Sequence, residues 1–240
     1  MYNQTVARLT YRALLGRRRA LILCALPALL LIVAGAVRGL VGADDAVTSQ
    51  LLGGFAMATM VPLIGVIAGT GAIGPEIDDG SVVYLLAKPL KRSSIIVTKL
   101  VVAIGVTIAF SAVPTLVAGF ILNGNSQQIA VAYAVAAAIA SLAYSALFLL
   151  LGTVSRHAVV IGLVYALIWE ALFGSLVPGA RALSVQQWAL ALAEKVGGSG
   201  AEITSEVGLP VALVLLAVVT IGGTWFAGQK LRSLKLAAEE

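Results

Sequence analysis

Apolar and polar positions divide the chain into long hydrophobic runs separated by short polar segments. A bilayer core about 30 Å thick is crossed by a helix of roughly 20 apolar residues, and six runs approach or exceed that length. The third and fourth runs are longer than a crossing needs, so we expect them to tilt or to begin as interfacial helix. The pattern predicts membrane-spanning helices at residues 20–37, 51–74, 95–122, 129–154, 158–177 and 209–228.

The composition excludes an ordinary soluble domain. Of the 240 residues, 60% are hydrophobic and 11% are charged, which is typical of a protein with many membrane-spanning helices. The sequence contains no internal repeat and no segment typical of a second domain. We therefore expect residues 1–240 to form a single all-α membrane domain with six spans and both termini on one side.

The distribution of Lys and Arg predicts which side the termini occupy. Short cytoplasmic loops retain basic residues because translocating them is costly. With a cytoplasmic N-terminus, 13 of the 16 basic residues lie inside, and only Arg38, Arg181 and Lys195 lie outside. We therefore predict cytoplasmic termini. The net charge of +5 then reflects topology and attraction to anionic lipid, and no basic groove with interleaved aromatic residues indicates nucleic-acid binding.

The first 19 residues have an amphipathic pattern before the first span. Val6, Leu9 and Ala13 share one helical face, and Arg8 and Arg12 lie on another. This pattern is typical of a helix in the plane of the inner interface. We call residues 1–19 the elbow helix.

A second amphipathic pattern lies in the predicted extracellular segment, residues 178–208. Ser184 and Gln187 have the spacing of a capping box, which predicts a helix N-terminus. Apolar residues then recur at helical spacing, which predicts a short helix against the outer leaflet. These residues are Val185, Trp188, Ala189, Leu192 and Val196.

A charged segment, residues 75–94, follows the second predicted span. Its acidic side chains follow Pro75 in the first turn, where they suit the positive end of a helix, and its basic side chains follow the far end. They are Glu76, Asp78 and Asp79, then Lys88, Lys91 and Arg92. We expect a short cytoplasmic helix in which Gly80 permits close backbone approach and the acidic turn contacts a partner. The alternative is a solvated loop that only satisfies the rule of basic residues inside.

Glu170 is a carboxylate within the fifth predicted span, beside Trp169 and near Phe173. An ionised carboxylate at membrane depth costs on the order of 3 kcal/mol, so we expect it to be protonated, paired or directed to a watery cavity. Two interpretations stay open. In one, Glu170 contacts a substrate or a proton, with the two aromatic residues beside it. In the other, it hydrogen-bonds Tyr144 or Ser145, or holds a lipid.

The sequence lacks the motifs of an enzyme that hydrolyses nucleotides or peptides. It has no Gly-x-x-x-x-Gly-Lys-Ser/Thr loop, no His-Glu-x-x-His and no Gly-x-Ser-x-Gly. The single histidine, His157, follows Arg156 in a short loop, and no metal site can be built from it. A transporter with this sequence would need an ion gradient or another subunit as its energy source, and an ion-coupled carrier would usually show more than one buried charge.

The run EIDDGSVVYLLAKPLKR from Glu76 to Arg92, with Lys99 seven residues later, resembles the signature of ABC-2 type ABC transporter permeases. In that family the signature follows the second span. It combines an acidic residue, a Gly-Thr or Gly-Ser step, paired leucines, a basic-Pro step, and then Arg and Lys. This chain has Ser81 where threonine is common and Lys91 where a small polar residue is frequent. The order of elbow helix, spans and outer helix extends the resemblance over essentially the whole chain.

The resemblance implies a function and a set of partners. Members of the family export compounds across the cytoplasmic membrane of prokaryotes, with two permeases, identical or related, and two copies of a separate ATP-binding subunit. ATP and Mg²⁺ would bind that subunit, leaving this chain without a cofactor or a catalytic residue. The substrate would be amphipathic or hydrophobic, such as a drug, an antibiotic or a lipid-like molecule. The charged segment, residues 75–94, would be the coupling segment of the family. Its contacts with the ATP-binding subunit would come from Glu76, Asp78, Asp79, Gly80, Ser81, Pro89 and Arg92.

Two other functions remain as alternatives. A membrane-embedded enzyme could use Glu170 as an acid or base, but it would need a second catalytic group at membrane depth, and the sequence shows none. A non-transporting membrane partner of an ATPase complex could use the same coupling segment for assembly or signalling.

Overall fold

The computed structural model describes residues 3–80, 92–173, 181–198 and 203–233, and the regular structure of these residues is helical. This confirms the predicted all-α class. The first helices are α1 (Gln4–Leu14), α2 (Arg17–Leu40), α3 (Asp45–Leu51, a π-helical stretch Leu52–Met60, and Val61–Gly71) and α4 (Gly74–Asp78). A 3-10 turn (Ser126–Gln128) separates α5 (Arg92–Asn123) from α6 (Ile129–Val154). The last helices are α7 (Ala158–Val164 and a π-helical stretch Tyr165–Phe173), α8 (Val185–Val196) and α9 (Leu209–Ala217, a π-helical stretch Val218–Gly222, and Gly223–Ser233).

Five helical segments in the described part of the chain are long and apolar enough to cross a membrane. They are Arg19–Leu40, Asp45–Asp78, Arg92–Asn123, Ser126–Val154 and Leu209–Arg232, and they correspond to five of the six predicted spans. The segment that corresponds to the fifth prediction, Ala158–Phe173, is apolar but shorter. The remainder of that predicted span, residues 174–177, lies outside the described residues.

Helix α6 lies at the centre of the bundle and contacts α3, α5, α7, α8 and α9. Glycines on α3 allow its backbone to approach α6 closely. A Cβ atom at Gly65 would lie 2.8 Å from Cβ of Tyr144, and one at Gly69 would lie 2.6 Å from Cβ of Phe148. These distances are too short for any side chain, so close packing of α3 on α6 requires glycine at both positions.

Hydroxyl groups join α5 to α6 inside the bundle. Oγ1 of Thr107 lies 3.1 Å from Oγ of Ser145, and Oγ of Ser111 lies 3.0 Å from Oγ of Ser141. The hydroxyls of Thr107, Ser111 and Ser141 also lie within hydrogen-bond distance of carbonyl groups one turn earlier in their own helices, so in each pair one hydroxyl can donate across and the other to its own helix. Buried polar groups must be satisfied within the protein in lipid, so these pairs fix the register of α5 against α6.

Helices α2 and α9 lie at the periphery of the described structure. Only 22% and 17% of their most apolar windows are buried, against 61% for the segment that contains α3. Gly35 and Gly39 on α2 are open, because no atom of the described chain lies within 4 Å of a Cβ added at either position. In a membrane these two helices therefore present apolar surface to lipid or to another protein.

Helix α1 packs against α5 and α3. Its buried face is rotated from the predicted one. Val6, Thr10 and Leu14 are buried, whereas Leu9 and Ala13 are exposed. Thr10 can occupy the buried face because its hydroxyl donates to the carbonyl of Val6 at 2.9 Å, which leaves no unsatisfied polar group.

Helix α8 packs against α6 and the start of α9. Burial includes much of the predicted apolar stripe and extends beyond it. Val185, Trp188 and Ala189 are buried and Leu192 and Val196 half-buried, and Leu190, Ala191 and Ala193 outside the stripe are buried too. The stripe therefore contacts other helices of the chain, whereas the sequence pattern predicted a contact with the outer leaflet.

The bundle has two ends, and each carries one group of candidate residues. At the α8 end, Nε2 of Gln186 donates to the carbonyl of Gly53, near the start of α3, at 3.2 Å. At the other end, α4 follows the last residues of α3. The 19 residues from Gly53 to Ala72 place these two ends roughly 28 Å apart along the helix axis. We call them the α8 end and the α4 end.

Candidate functional site

Helix α4 begins with Gly74 and Pro75, a position where proline removes no helical hydrogen bond. Only five residues long, it contains Glu76 in its first turn and ends at Asp78. A helix therefore begins at the predicted position, and residues 81–91 of the predicted segment lie outside the described residues. Of the residues predicted to contact the ATP-binding subunit, Ser81 and Pro89 lie outside the described residues.

Gly80 terminates this turn with a left-handed backbone conformation, at φ +69°. Residues other than glycine adopt this conformation at a cost because of their Cβ atom. No atom of the described chain lies within 4 Å of a Cβ added at Gly80. The sequence pattern predicted a close backbone approach at Gly80, but within the described chain the glycine is required for backbone conformation.

A buried lysine holds α4 against the bundle. Lys99 on α5 is 0% exposed, and its Nζ donates to Oε1 of Glu76 at 2.7 Å and to the carbonyl of Ala72 at 2.6 Å. Ala72 is the C-terminal cap of α3, where a cation interacts favourably with the helix dipole. One ammonium group thus connects the end of α3, the first turn of α4 and the start of α5. We call Lys99, Glu76 and Ala72 the lysine junction.

The two aspartates beyond this junction point outward from the bundle. Asp78 and Asp79 are exposed, as is Gly80, whereas the side chain of Glu76 is 29% exposed and paired with Lys99. The acidic residues predicted as one contact surface therefore divide into two groups. Glu76 fixes α4 in place, and the two aspartates remain accessible to a partner.

Arg92, the last residue of the predicted contact set, lies at the start of α5. Its Nη1 donates to the carbonyl of Arg232 near the end of α9 at 3.0 Å. This bond connects the first turn of α5 to the last turn of α9 at the α4 end. Arg92 thus has a structural contact within the chain.

Glu170 lies at the opposite end of the bundle and is 0% exposed. Its Oε1 accepts from the hydroxyl of Tyr165 at 2.8 Å and from the backbone N–H of Val185 at 3.0 Å. Its Oε2 accepts from the hydroxyl of Ser184 at 2.5 Å and, more weakly, from the N–H of Gln186 at 3.4 Å. The carboxylate thus occupies the N-terminus of α8, where free N–H groups and the helix dipole favour an anion.

This arrangement differs from both sequence-based expectations for the region. Ser184 is the N-cap residue of α8, but its side chain makes no capping hydrogen bond to the helix, so the capping box predicted with Gln187 is wrong. The hydroxyl donates to Glu170, which caps the helix from α7. Of the expected partners, buried Tyr144 lies close enough to Glu170 for the two side chains to interact, although no hydrogen bond of ordinary geometry joins them, and Ser145 does not contact the carboxylate. Ser145 pairs with Thr107.

The aromatic residues near Glu170 do not surround its carboxylate. Trp169 and Phe173 stack on each other with ring centroids 6.0 Å apart, and Phe173 is 40% exposed. Nε1 of Trp169 lies 3.5 Å from the carbonyl of Leu183. The three residues that the sequence grouped as one polar site therefore separate into a buried cap and an outward-facing aromatic pair.

A model of the family described as "ABC-2 family transporter protein" matches residues 4–190, well over half of the chain. The chain belongs to the ABC-2 transporter family. No curated protein matches the sequence. Family membership and the several helices able to cross a membrane make this chain a multi-pass membrane permease of an ABC transporter.

In this ABC-2 permease, the matched residues include both ends of the bundle. The lysine junction and Glu170 lie within them, and α9 lies beyond them. The family match therefore agrees with the resemblance seen in the run from Glu76 to Arg92, although residues 81–91 lie outside the described structure.

The permease also contains a functional candidate, Lys99, that the sequence predicted only as a cytoplasmic charge and as the last residue of the family signature. Lys99 lies inside the predicted span 95–122, with Ile95, Ile96 and Leu100 around it. A lysine among apolar residues in a span is rare and requires a partner. The position of Lys99 within a predicted span could have identified it as a candidate. Glu76, at the end of the preceding span, could have been recognised as its counter-charge.

Proposed function

We propose that this ABC-2 permease is the membrane subunit of an exporter for an amphipathic or hydrophobic compound, such as a drug, an antibiotic or a lipid-like molecule. ATP hydrolysis on a separate ATP-binding subunit, which holds ATP and Mg²⁺, drives transport. Two permeases, identical or related, and two ATP-binding subunits form the working complex in the cytoplasmic membrane of a prokaryote. The observation that carries the proposal is the lysine junction, which fixes α4 to two spans and leaves Asp78 and Asp79 exposed.

The junction gives the coupling segment a mechanical path into the bundle. A displacement of α4 acts on Glu76, and the 2.7 Å ion pair transfers it to Lys99 on α5. The bond from Lys99 to Ala72 transfers the same displacement to the end of α3. Because α3 and α5 both pack on α6, a movement of the ATP-binding subunit would reach the centre of the permease.

An apolar recess supports the substrate class. It lies between α6 and α7, has a volume of about 260 Å³, and opens to the surface of the bundle. Phe148, Leu151, Ile161 and Tyr165 are among its lining residues. A recess of this size and character accepts part of a hydrophobic molecule that enters from the bilayer.

The geometry of Glu170 disfavours the alternative of a membrane-embedded enzyme. The carboxylate is fully buried and accepts four hydrogen bonds from the protein. A general acid or base must reach the proton of its substrate, and this carboxylate has no exposed surface in the described structure. We therefore assign Glu170 to positioning α8.

The proposal is tested by co-purifying the permease with its ATP-binding subunit in lipid nanodiscs. We expect Asp79→Lys and Gly80→Trp to reduce the amount of bound subunit, because both change the exposed turn beyond the lysine junction. Glu194→Lys is the matched control, since Glu194 is an exposed acid on α8. Wild-type co-purification that both variants leave unchanged would contradict the assignment of the coupling segment.

A second experiment tests export itself and distinguishes an exporter from a non-transporting complex. ATP is added outside inside-out vesicles that contain the complex, because the ATP-binding subunit faces the medium, and the uptake of fluorescent amphipathic compounds is measured. We expect ATP-dependent uptake that Asp79→Lys abolishes. An assembled, ATP-hydrolysing complex that moves none of a broad set of such compounds would favour assembly or signalling.

A further inference from the structure

A groove separates the first turns of α5 from the last turns of α9 at the α4 end of the bundle. Its volume is about 390 Å³, within the range of small-molecule sites. Ile96 and Val97 form one wall, and Ile221 and Trp225 form the other. Gly228 adds no side chain, and no atom lies within 4 Å of a Cβ added there, so the groove stays open beside it.

The polar end of this groove is basic. Arg232 and Gln229 line it on α9, and Ser93 lines it on α5. Arg92 lies at the same end, because its Nη1 donates to the carbonyl of Arg232 at 3.0 Å. Within the described residues neither arginine forms an ion pair with a carboxylate, and no acidic residue lines the groove. Two arginines at one end of the groove, with no acidic partner among the described residues, favour an anionic ligand.

The arrangement of apolar walls and a basic end matches the chemistry of a phospholipid. Ile221 and Trp225 are 70% and 58% exposed, so the groove opens away from the bundle. A tryptophan near a helix end is typical of the membrane interface, and arginines there extend toward headgroups. An acyl chain suits the apolar walls, and a phosphate suits the arginines, since arginine binds phosphate through paired N–H groups.

A second copy of this chain fits the same face poorly. Two-fold pairing of parallel membrane subunits brings the same residues of both copies together. The basic end of one groove would then face the basic end of the other, and four arginines would lie close to each other. Repulsion between like charges disfavours that arrangement.

We propose that this groove binds one anionic phospholipid of the leaflet at the α4 end, with an acyl chain on Ile96, Val97 and Ile221 and the phosphate on Arg92 and Arg232. The site is independent of the proposed transport function. It also lies close to the lysine junction, because the seven residues from Arg92 to Lys99 span about 10 Å of α5. A bound lipid therefore braces the same helix that the coupling segment contacts.

The test is native mass spectrometry of the purified permease after exchange into an equimolar mixture of phosphatidylglycerol and phosphatidylcholine. We expect wild type to retain phosphatidylglycerol in preference to phosphatidylcholine. Arg232→Ala and Arg92→Ala should each lower this preference about fivefold, the factor that corresponds to about 1 kcal/mol per basic residue at an anionic surface. Val97→Trp should reduce retention of both lipids, because the indole fills the apolar part of the groove.

Matched variants distinguish this site from general attraction to the protein surface. Arg156→Ala removes an exposed arginine in the turn before α7, and Val160→Trp enlarges an exposed apolar residue on α7. Both should leave lipid retention unchanged. Thermal unfolding of every variant shows whether a loss of lipid comes from a loss of fold. Equal retention of the two lipids by wild type, or equal effects of groove and control variants, would overturn the proposal.

A cross-linking experiment tests whether a second copy of this chain covers the groove. Ile221→Cys is introduced into a Cys24→Ser background, and disulfide-linked pairs are measured in native membranes. We expect no linked pairs, because lipid lies between the groove and any neighbouring copy. Efficient linkage would show that a second copy covers the groove, and the lipid site would be rejected.

Discussion

Each end of the bundle uses a buried charge to stabilise a helix terminus, but the two charges are satisfied differently. At the α4 end, Lys99 contacts the C-terminal carbonyl group of α3 and pairs with Glu76, which is 29% exposed. At the α8 end, Glu170 contacts the N-terminal N–H groups of α8 and is otherwise surrounded by neutral hydroxyl donors. The first arrangement includes a partly exposed side chain, and the second is fully buried.

This difference indicates different roles for the two ends of the bundle. A partly exposed ion pair can be changed by a partner, because solvent and charges outside the protein compete with it. A fully buried carboxylate with four donors has one favourable arrangement, since moving α8 leaves several buried donors unsatisfied. We therefore expect the α4 end to change during function and the α8 end to stay fixed.

The largest predicted loss of stability follows from substitution of Glu170. Glu170→Ala leaves the hydroxyls of Tyr165 and Ser184 and the N–H of Val185 without their acceptor, and we expect a loss of about 4 kcal/mol in unfolding free energy. Glu170→Gln keeps one acceptor oxygen and should lose less. Equilibrium unfolding in mixed micelles measures both, with Glu194→Ala as the exposed control. A stability close to wild type for Glu170→Ala would show that the cap is dispensable.

The next largest loss of stability distinguishes Glu76 from Lys99, the two members of the buried ion pair. Glu76→Ala leaves a fully buried ammonium without its carboxylate, and we expect a loss of about 3 kcal/mol. Lys99→Met removes the buried charge and leaves the carboxylate of Glu76, whose side chain is 29% exposed and can turn toward solvent more easily than a fully buried ammonium, so the expected loss is about 1 kcal/mol. The same unfolding measurement ranks the two variants. If Lys99→Met were the more damaging, the exposure of Glu76 would not be the deciding factor.

A smaller loss of stability is expected from substitution of Gly80 in the turn that ends α4. Gly80→Ala places a Cβ on a left-handed residue and should cost about 1 kcal/mol. Gly35→Ala provides a control of opposite sign, because Gly35 is helical with open space around it and alanine favours helix. Unfolding midpoints of the two variants should move in opposite directions. Equal midpoints would show that the conformation of Gly80 does not limit stability.

The smallest change in stability is expected at Asp79, although substitution of this residue should have the largest effect on binding of the ATP-binding subunit. Asp79 is exposed and lies beyond the lysine junction, so Asp79→Asn should leave the unfolding midpoint of the isolated permease unchanged. Its consequence should appear only when the ATP-binding subunit is present. A lowered midpoint in the isolated chain would indicate that Asp79 has a structural role.

The spans could be predicted from the sequence because length and apolar composition alone identify a helix in lipid. Five described segments agree with the predicted runs, and they extend a few residues beyond them because polar residues such as Asp45 continue the helices. The buried face of α1 was harder to predict. Thr10 is buried through a hydrogen bond to its own helix, which hydrophobicity does not reveal.

The partners of the two buried charges could not be predicted from spacing. Glu76 and Lys99 are 23 residues apart, and Glu170 lies 14 residues before Ser184, so neither pair follows from helical periodicity. Each depends on how separate helices pack. The sequence did identify Glu76 and Glu170 as residues that need an explanation, and the structure adds the contacts with Lys99 and with the N-terminus of α8.

The central claim is that the exposed turn after α4 binds the ATP-binding subunit and that the lysine junction transmits its movement. The most direct measurement compares subunit retention and permease-dependent ATPase activity on the same nanodisc preparations of Asp79→Lys, Lys99→Met and Glu194→Lys. The account predicts loss of retention for Asp79→Lys and intact retention with lost ATPase stimulation for Lys99→Met. Glu194→Lys should match wild type. If Asp79→Lys and Lys99→Met both matched wild type in retention and ATPase activity, the account would be contradicted.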